Sequence, residues 1–346
     1  MAIRLPVEID GSRGEGGGQV LRTALALALI ARRKLRIRNI RANRRKPGLQ
    51  PQHLACVIAA ARLCNGRASG PGGAQLSFGS TELEFVPGDS TVRVLDVDIG
   101  TAGSTSLLLQ TVLLPALLAD APVRIVVTGG THNPLAPPFE FLERVVAHHL
   151  RAMGATLSLT LERHGMMPRG GGRVVVETTP SRLTPIEVVD AGPVIAARAT
   201  AIIASLPRHV GERELAVARE RLTSPAPACE LRDVGAIGPH NVFMAEVELA
   251  SGARELVTAQ GERGYPAEDV ADDAFDALDD FVAAGVPVGA HLADQLVLPL
   301  ALAGGGRFRT LPLSLHATTN IDTIREFLDV PIRWEPTAGG VEVQIG

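Results

Sequence analysis

The stretch VEIDGSRGEGGGQVLRTALALALIA, residues 7–31, sets out the first structural unit of the chain. Alternating apolar residues in VEID predict a strand, and the apolar run that follows Gln19 predicts a helix. Between them, five glycines surround one carboxylate, Glu15, with Arg13 and Arg22 on either side of it. The stretch therefore predicts a strand, a glycine-rich loop and a helix.

Two interpretations fit this loop, a tight turn and a phosphate-binding loop. Glycines accept positive φ and let backbone N–H groups approach a phosphate, and the N-terminus of the following helix adds its dipole. Glu15 favours the phosphate site, because a carboxylate beside a phosphate is repulsive unless Mg²⁺ or Mn²⁺ lies between them. The sequence contains neither a Walker A motif nor the Rossmann GxGxxG pattern. A nucleotide fold of either kind is therefore excluded.

The same order of elements recurs further along the chain. A second unit consists of VRVLDVDI, GTAGSTS, LLLQTVLLPALLA, VRIVVTGG, FEFLERVVAHHLRAMG, LSLTLE and GRVVVETT. A third consists of ADQLVLPLALAGGG, RFRTLPLS, the loop HATTN, the helix IDTIREFL, PIRWEP and GVEVQIG. Gln19, Gln110 and Gln295 fall early in the three first helices, with about 90 residues between the first two. The chain thus predicts a repeated β-α-β-α-β-β unit.

The third unit comes later than this spacing requires, and we assign the surplus, Leu183 to Ala283, to an inserted domain. We expect it to contain the strands PIEVVD, NVFMAEVEL and ARELVTAQGE and the helices VARERL and DVADDAFDALDDFVAAG. The predicted fold class is α+β, with three repeats packed as a large domain and a small inserted α/β domain. Residues 1–182 hold repeats one and two, residues 183–283 the insertion and residues 284–346 repeat three. Loops from different repeats can converge on one cleft.

Composition limits the classes of partner. The 346 residues carry a net charge of only −3, so a polyanion must be met by a local basic patch. Basic residues without any acid run from Arg32 to Lys46, although such a run can also be a solvated strand edge. Aromatic residues make up only 3% of the chain, which argues against a base-stacking platform.

The cysteines and the apolar segments indicate the compartment. Cys56, Cys64 and Cys229 form no CxxC pair, so we interpret them as buried thiols in a reducing cytosol. The start of the chain lacks the apolar segment of a signal peptide, and the run LLLQTVLLPALLA is too short to span a bilayer. The predicted location is the cytoplasm.

Three further loops could carry chemistry. RANRRKPGLQPQH offers arginine forks suited to polyphosphate oxygens and places Gln52 and His53 at a helix start, where a histidine is more often a hydrogen-bonding residue than a catalyst. In THNPLAPPFEF, Pro137 and Pro138 suggest a rigid apolar wall for a base, although prolines also commonly precede helices. SLHATTN places His316 after a strand with hydroxyls beside it; a satisfied loop histidine is the simpler alternative.

Together these segments resemble the RNA 3′-terminal phosphate cyclase family, in family order over nearly the whole chain. The matching segments are DGSRGEGGGQVLR, RANRRKPGLQPQHL, GTAGSTSLLLQTVLLPAL, GGTHNPLAPP, RHGMMPRGGG, LPRHVGERE, ADQLVLPLALAGGG and HATTN. The resemblance implies three repeats, each like the C-terminal domain of a bacterial translation initiation factor. It also implies a ligase-class enzyme that uses ATP to convert an RNA 3′-phosphate to a 2′,3′-cyclic phosphate, releasing AMP and pyrophosphate.

The resemblance also implies roles for particular residues. His316 falls on the family's nucleophile, which forms a covalent histidyl–AMP. Glu15 would hold Mg²⁺ or Mn²⁺, and Arg22 and Arg44 would orient the departing pyrophosphate. The nucleotide pocket would be lined by Gln52, Gln110, Pro138, His291, Asp294 and Gln295. His291 stands where the family's bacterial members carry tyrosine, which leaves the fine shape of that pocket open.

The acceptor would be an RNA with a 3′-phosphate end. Its contacts would come partly from the basic run, through Arg41, Arg45 and Lys46. Two other functions fit the fold: a non-catalytic ribosome-assembly scaffold and a small-molecule transferase related to the enolpyruvyl transferases. A scaffold needs no nucleophile and metal ligand together, so Glu15 and His316 favour the enzyme. The sequence leaves open whether the protein forms a homodimer.

Overall fold

The fold was described from a computed structural model, which covers residues 5–235 and 238–346. Strands and helices are mixed along these residues, and the strands form four sheets of four strands each. This is compatible with the α+β class predicted from the sequence. The division into repeats and an inserted domain stays a prediction.

The first sheet is built by the stretch that opens the chain. Its elements are β1 (Val7–Asp10), α1 (Gly18–Ala31), β2 (Leu35–Arg38), α2 (Pro51–Leu63), β3 (Arg67–Ser69) and β4 (Leu83–Val86). The strand order is β1-β2-β4-β3, in which β1 and β2 are parallel and the other two pairs are antiparallel. Because β1 and β2 are parallel, their carboxyl ends lie at the same edge of the sheet, and α1 and α2 follow these two ends.

The second sheet repeats this pairing. Its elements are β5 (Val94–Asp98), α3 (Thr105–Leu117), β6 (Val123–Gly129), a π-helical turn (Phe141–Val146) that leads into α4 (Ala147–Ala152), β7 (Thr156–Arg163) and β8 (Gly172–Thr179). The order is β5-β6-β8-β7, again with one parallel pair followed by two antiparallel pairs. The single helix predicted over FEFLERVVAHHLRAMG thus contains a π turn, which follows Phe139 and Glu140.

The chain then forms β9 (Glu187–Val188) and passes into a separate sheet. This sheet contains β10 (Val194–Ala204), β11 (Ala228–Asp233), β12 (His240–Leu249) and β13 (Arg254–Gln260), in the order β11-β10-β12-β13. Helices α5 (His209–Arg221) and α6 (Ala267–Ala284) pack against it. The strands β10 and β11 were missed from the sequence.

The last sheet is completed by α7 (Ala290–Ala303), β14 (Gly306–Thr310), α8 (Leu315–Arg325), β15 (Ile332–Thr337) and β16 (Gly340–Ile345). Its order is β15-β16-β14-β9, because Glu187 and Val188 pair in parallel with Arg307 and Phe308 of β14. PIEVVD was predicted to lie in the inserted segment, and its two paired residues belong to the last sheet. Three sheets therefore share the strand order first-second-fourth-third, whereas the sheet of β10 to β13 has the order second-first-third-fourth.

The predicted loop HATTN is also corrected. Helix α8 starts at Leu315, one residue before His316, because Ser314 caps it: the Ser314 hydroxyl oxygen accepts a hydrogen bond from the Ala317 N–H at 3.0 Å. An N-cap of this kind satisfies a backbone donor that the helix leaves open. His316 therefore stands on the first turn of a helix.

The helices pack into two hydrophobic core clusters. Helix α1 is apolar on all sides, and every residue from Ala24 to Leu29 is at most 8% exposed, as expected for a helix surrounded by other elements. One large core cluster joins the first, second and last sheets through α1, α2, α3 and α7, while a second cluster lies under β10, β12 and α6. Cys56 and Cys64 are buried as predicted, whereas Cys229 is only half-buried.

Among residues 5–235 and 238–346, none of the helices has both the length and the apolar character to cross a bilayer.

The second core cluster can be tested by the same change, Phe to Ala, at one buried and one exposed position. The rings of Phe243 and Phe275 lie 5.7 Å apart and Phe243 is fully buried, so Phe243→Ala should reduce the free energy of unfolding by about 3–5 kcal/mol. Phe78 is 62% exposed, and Phe78→Ala should change the free energy by less than about 0.5 kcal/mol. Urea unfolding of both variants measures the difference; equal losses would contradict the core assignment.

Candidate active site

The glycine loop between β1 and α1 lets the protein's own polar side chains approach the backbone. Gly14 and Gly16 have positive φ, near 60°. A Cβ at Gly14 would collide with the Thr319 hydroxyl, and one at Gly17 with the Glu15 carboxylate. At Gly18 a Cβ would collide with the His53 ring. The glycines are therefore required by neighbours from α2 and α8, which the sequence did not reveal.

Glu15 lies at the centre of this loop. Its backbone N–H donates to the Thr319 hydroxyl oxygen at 2.9 Å, which ties the loop to α8. Its side chain is only 7% exposed, and Arg44 Nη2 contacts its Oε1 atom. The other oxygen, Oε2, is buried and accepts no hydrogen bond from any residue that the structure describes. A buried carboxylate oxygen without a donor is unfavourable, and a cation would satisfy it.

His316 is held next to this carboxylate. Its Nδ1 atom lies 2.8 Å from Gln19 Oε1 and 4.0 Å from Glu15 Oε2. Because an amide oxygen can only accept, Nδ1 carries the proton and the neutral ring keeps its lone pair on Nε2. The side chain is 51% exposed, so a substrate can reach it.

The charge state of His316 follows from its surroundings. Partial burial, together with the positive charges of Arg22 and Arg44, lowers the pKa of its imidazole. Each of these effects disfavours the protonated ring. The imidazole is therefore neutral at pH 7, which is the form that can act as a nucleophile.

The residues around Arg22 connect the first and second sheets. Arg22 Nε donates to Gln110 Oε1 at 3.0 Å, and Gln52 Oε1 accepts from the Ser104 N–H at 2.9 Å. The ring of His53 accepts a hydrogen bond from the Gln50 N–H, and burial, Arg22 and Arg41 lower its pKa to about 3. His53 is thus a neutral helix N-terminal residue, as the simpler interpretation of the sequence expected.

A cavity with polar and apolar walls opens where α1, α3, α7 and α8 meet the π-helical turn and α4. Three of the residues predicted for a nucleotide pocket line it, namely Gln110, Asp294 and Gln295. Its other polar lining residues are Gln19, Thr23 and Asn320. Gln19 matches Gln110 and Gln295 in its position early in a first helix, and that correspondence was the signal that could have placed Gln19 in the site.

The other residues predicted for the nucleotide pocket, His291, Gln52 and Pro138, do not line this cavity. His291 is in the first turn of α7, where desolvation and then the charge of His316 lower its pKa. Gln52 faces the Ser104 N–H, and Pro138 is buried one turn before the π-helical segment. The structure therefore groups Gln110, Asp294 and Gln295 in one cavity and leaves Gln52 and Pro138 at other positions.

The basic run divides into two parts. On the strand, Arg36 pairs with Glu82 and Glu84, and Arg38 with Glu8, so these arginines form the edge that the simpler interpretation described. In the loop, Arg41 donates to the backbone oxygens of Lys46 and Gly48. Arg45 and Lys46 are exposed. Of the three residues predicted to contact RNA, Arg41 holds its own loop together and the other two face solvent.

The region thus brings together an accessible neutral imidazole, a buried carboxylate and the guanidinium groups of Arg22 and Arg44. A family model described as RNA 3′-terminal phosphate cyclase matches residues 13–334. The chain belongs to the RNA 3′-terminal phosphate cyclase family, whose members are ligase-class enzymes. The family and the enzyme class predicted from the sequence are confirmed.

The relatives span bacteria and an archaeon, and each is named RNA 3′-terminal phosphate cyclase. The protein from Ectopseudomonas mendocina is 47% identical over 330 residues, covering 94% of both chains. The one from Caldivirga maquilingensis is 42% identical and also covers 94% of both chains. The Salmonella enteritidis protein is 39% identical over 343 residues, 98% of each chain.

Asp294 provides a test of the cavity's electrostatics. Burial raises its pKa from 3.8 to about 7, although a hydrogen bond from Ser314 opposes the shift. The native state therefore favours the protonated acid, and this stabilisation is lost as pH rises from about 4 to about 7. Asp294→Asn mimics the protonated acid at every pH. The stability gained by Asp294→Asn is its free energy of unfolding minus that of the wild type. This gain should be larger at about pH 8 than at about pH 4 by a few kcal/mol, since each pKa unit corresponds to about 1.4 kcal/mol.

Urea unfolding at the two pH values measures this difference. Asp280 is exposed on α6, so Asp280→Asn should show no such growth with pH. A stability difference for Asp294→Asn that stays constant from about pH 4 to about pH 8 would contradict the raised pKa.

Proposed function

We propose that the protein converts an RNA 3′-terminal phosphate to a 2′,3′-cyclic phosphate in three steps at the expense of ATP. The observation that carries the proposal is the accessible imidazole of His316, whose Nδ1–H is fixed by Gln19 beside the unpartnered oxygen of Glu15. With the proton on Nδ1, the lone pair of this half-exposed side chain is on Nε2. The family membership supports the same reaction.

In the first step, His316 Nε2 attacks the α-phosphorus of ATP. A P–N bond forms, the bond to the bridging oxygen breaks, and the electron pair leaves with pyrophosphate. The ring becomes a cation during the attack, and the Gln19 carbonyl oxygen stabilises it by accepting from Nδ1–H. Arg22 and Arg44, the two cations that lower the pKa of His316, would hold the departing pyrophosphate.

In the second step, an oxygen of the RNA 3′-phosphate attacks the phosphorus of the histidyl–AMP and the P–N bond breaks. The product is RNA(3′)pp(5′)A, and His316 regains its lone pair. In the third step, the neighbouring 2′-hydroxyl loses its proton and its oxygen attacks the 3′-phosphorus, which expels AMP. Ring closure is intramolecular, so it needs little more than a suitably placed 2′-oxygen.

Glu15 is suited to a divalent cation of the Mg²⁺ or Mn²⁺ type. Its Oε2 atom is a buried oxygen without a donor among the described residues, and such cations bind through one or two carboxylates plus substrate phosphates. When bound, the cation would neutralise charge on the triphosphate. Arg44 at present contacts the other oxygen, Oε1, and would be released towards the phosphates.

The cavity between α1, α3, α7 and α8 would receive the nucleoside part of ATP. Gln110, Asp294 and Gln295 line it, and Asp294, with its pKa near 7, can either donate or accept a hydrogen bond. Gln52, Pro138 and His291 would complete the pocket from its margins. Arg45 and Lys46 are exposed near Glu15's loop and would contact the RNA backbone in the cytoplasm.

The nucleophile is tested by labelling. Incubation with α-labelled ATP and Mg²⁺ or Mn²⁺ should leave an acid-labile, alkali-stable AMP adduct, as expected for a phosphoramidate, and His316→Ala should abolish it. His209 is an exposed histidine at the start of α5, and His209→Ala should label normally. Full labelling of His316→Ala would disprove the assignment, and a scaffold would label in neither form.

The acceptor is tested with three oligoribonucleotides. One ending in a 3′-phosphate should discharge the adduct and gain a phosphatase-resistant cyclic end. The same oligomer with a terminal 2′-deoxy sugar should stop at the 3′-adenylylated species, because it lacks the attacking oxygen, and one ending in a 3′-hydroxyl should not react by this route. Rising salt should weaken RNA use more than self-adenylylation. A normal adduct that never yields a cyclic end would leave only a nucleotidyl transferase of another acceptor.

A further inference from the structure

Three metal-ligating side chains meet outside the site described above. His132 lies in the loop after β6, Glu140 directly before the π-helical turn and His164 directly after β7. One ligand atom from each lies within 4.8 Å of the other two. His132 and Glu140 are 3% and 2% exposed, so the group is formed inside the protein.

Two of the three are bonded to each other, and the third is not. His132 Nε2 and Glu140 Oε2 are 2.7 Å apart, and Glu140 Oε1 accepts from Arg232 of β11 at 2.7 Å. The His164 ring stacks on that of His132 with centroids 5.2 Å apart. Its Nε2 atom is buried and has no hydrogen-bond partner among residues 5–235 and 238–346. Leaving a buried polar atom unpaired is unfavourable.

Thr131 can support His132 in a metal-bound state. Its Oγ1 atom is 2.8 Å from His132 Nδ1, 3.0 Å from the Gly165 N–H and 3.2 Å from the Gly165 carbonyl oxygen. If Nε2 bound a metal, Nδ1 would carry the proton and donate to Thr131, whose hydroxyl proton would turn to the carbonyl of Gly165. Ligating histidines are usually oriented by such a second hydrogen bond.

We propose that His132, Glu140 and His164 bind one zinc-class divalent transition-metal ion. Two imidazoles and one carboxylate suit Zn²⁺ and its neighbours better than Mg²⁺, which prefers oxygen ligands throughout. Bonds of about 2.0–2.2 Å require ligand atoms within about 4 Å of each other, so a small approach of His164 completes the set. His164 is half-buried, which leaves a fourth position for water or a ligand.

An ion-pair cluster is the competing interpretation. It accounts for His132, Glu140 and Arg232, which would tie the loop after β6 to β11 without any metal. It leaves His164 Nε2 unpaired. The metal site accounts for this atom as well, and it does not depend on the proposed reaction at His316.

Zinc binding to chelator-stripped protein tests the proposal. Titration calorimetry in competition with a chelator should show one saturable Zn²⁺ site per chain, and Co²⁺ should give the visible absorption of a four- or five-coordinate ion. His164→Phe keeps the ring stacked on His132 but removes the ligand atom, so it should weaken zinc binding by about 100-fold or more and abolish the cobalt spectrum. Exposed His209 is the matched control, and His209→Ala should bind zinc like the wild type.

A second variant and a second control make the result independent of folding. Glu140→Gln is nearly isosteric and removes the ligand charge, so it should also lose the cobalt spectrum; circular dichroism of both variants monitors the fold. Glu15→Ala should leave zinc binding unchanged, because the ion is not at the nucleotide site. Absence of saturable binding, binding that survives in both ligand variants, or binding lost only in Glu15→Ala would each overturn the proposal.

Discussion

The contacts between α1 and α8 are the constraint on which the site depends. Gln19 meets His316, Thr23 donates to Asn320 at 2.8 Å, and the Glu15 N–H donates to Thr319. Each of these bonds joins the first helix region of the chain to its last helix, across about 300 residues of sequence. They fix the tautomer of the histidine, the position of the carboxylate and the wall of the cavity together. Neither helix region carries a complete site by itself.

One set of positive charges serves two purposes in the proposed reaction. Together with partial burial, Arg22 and Arg44 lower the pKa of His316 before ATP binds, and afterwards they would face the anionic leaving group. Arg22 can hold this position because Gln110 accepts from its Nε while its surroundings desolvate it, which lowers its own pKa from a very high value. A guanidinium remains charged under such conditions, whereas an ammonium group would lose much of its charge on burial.

The sequence predicted well what depends on local pattern. The apolar periodicity located α1, α2, α3 and α7. The roles of the site residues stay predictions. Prediction from the sequence failed where a residue's contact partners are distant along the chain. PIEVVD has only two paired residues, and their partners on β14 are 120 residues further along the chain. No nearby sequence pattern predicts this pairing. His316 was placed in a loop because HATTN is weak helix sequence, but the Ser314 cap starts the helix before it. The sequence left open whether the basic run forms a solvated strand edge, and only the pairing of the strands brings Glu82, Glu84 and Glu8 beside Arg36 and Arg38.

The pairing of β9 with β14 also has a consequence for the order in which the protein is made. During synthesis β9 leaves the ribosome long before its partner strand, and it must wait while the sheet of β10 to β13 and helices α5 and α6 emerge. The entropic cost of closing so long a loop grows only slowly with length, by about 0.6 kcal/mol per doubling, so a folded insertion that brings its two ends together is a small obstacle. The last sheet is the last to have all of its strands outside the ribosome, and His316 emerges between two of them. In the proposed reaction, a nascent or truncated chain would therefore carry the glycine loop and its carboxylate without the nucleophile, and only the finished protein would begin to consume nucleotide.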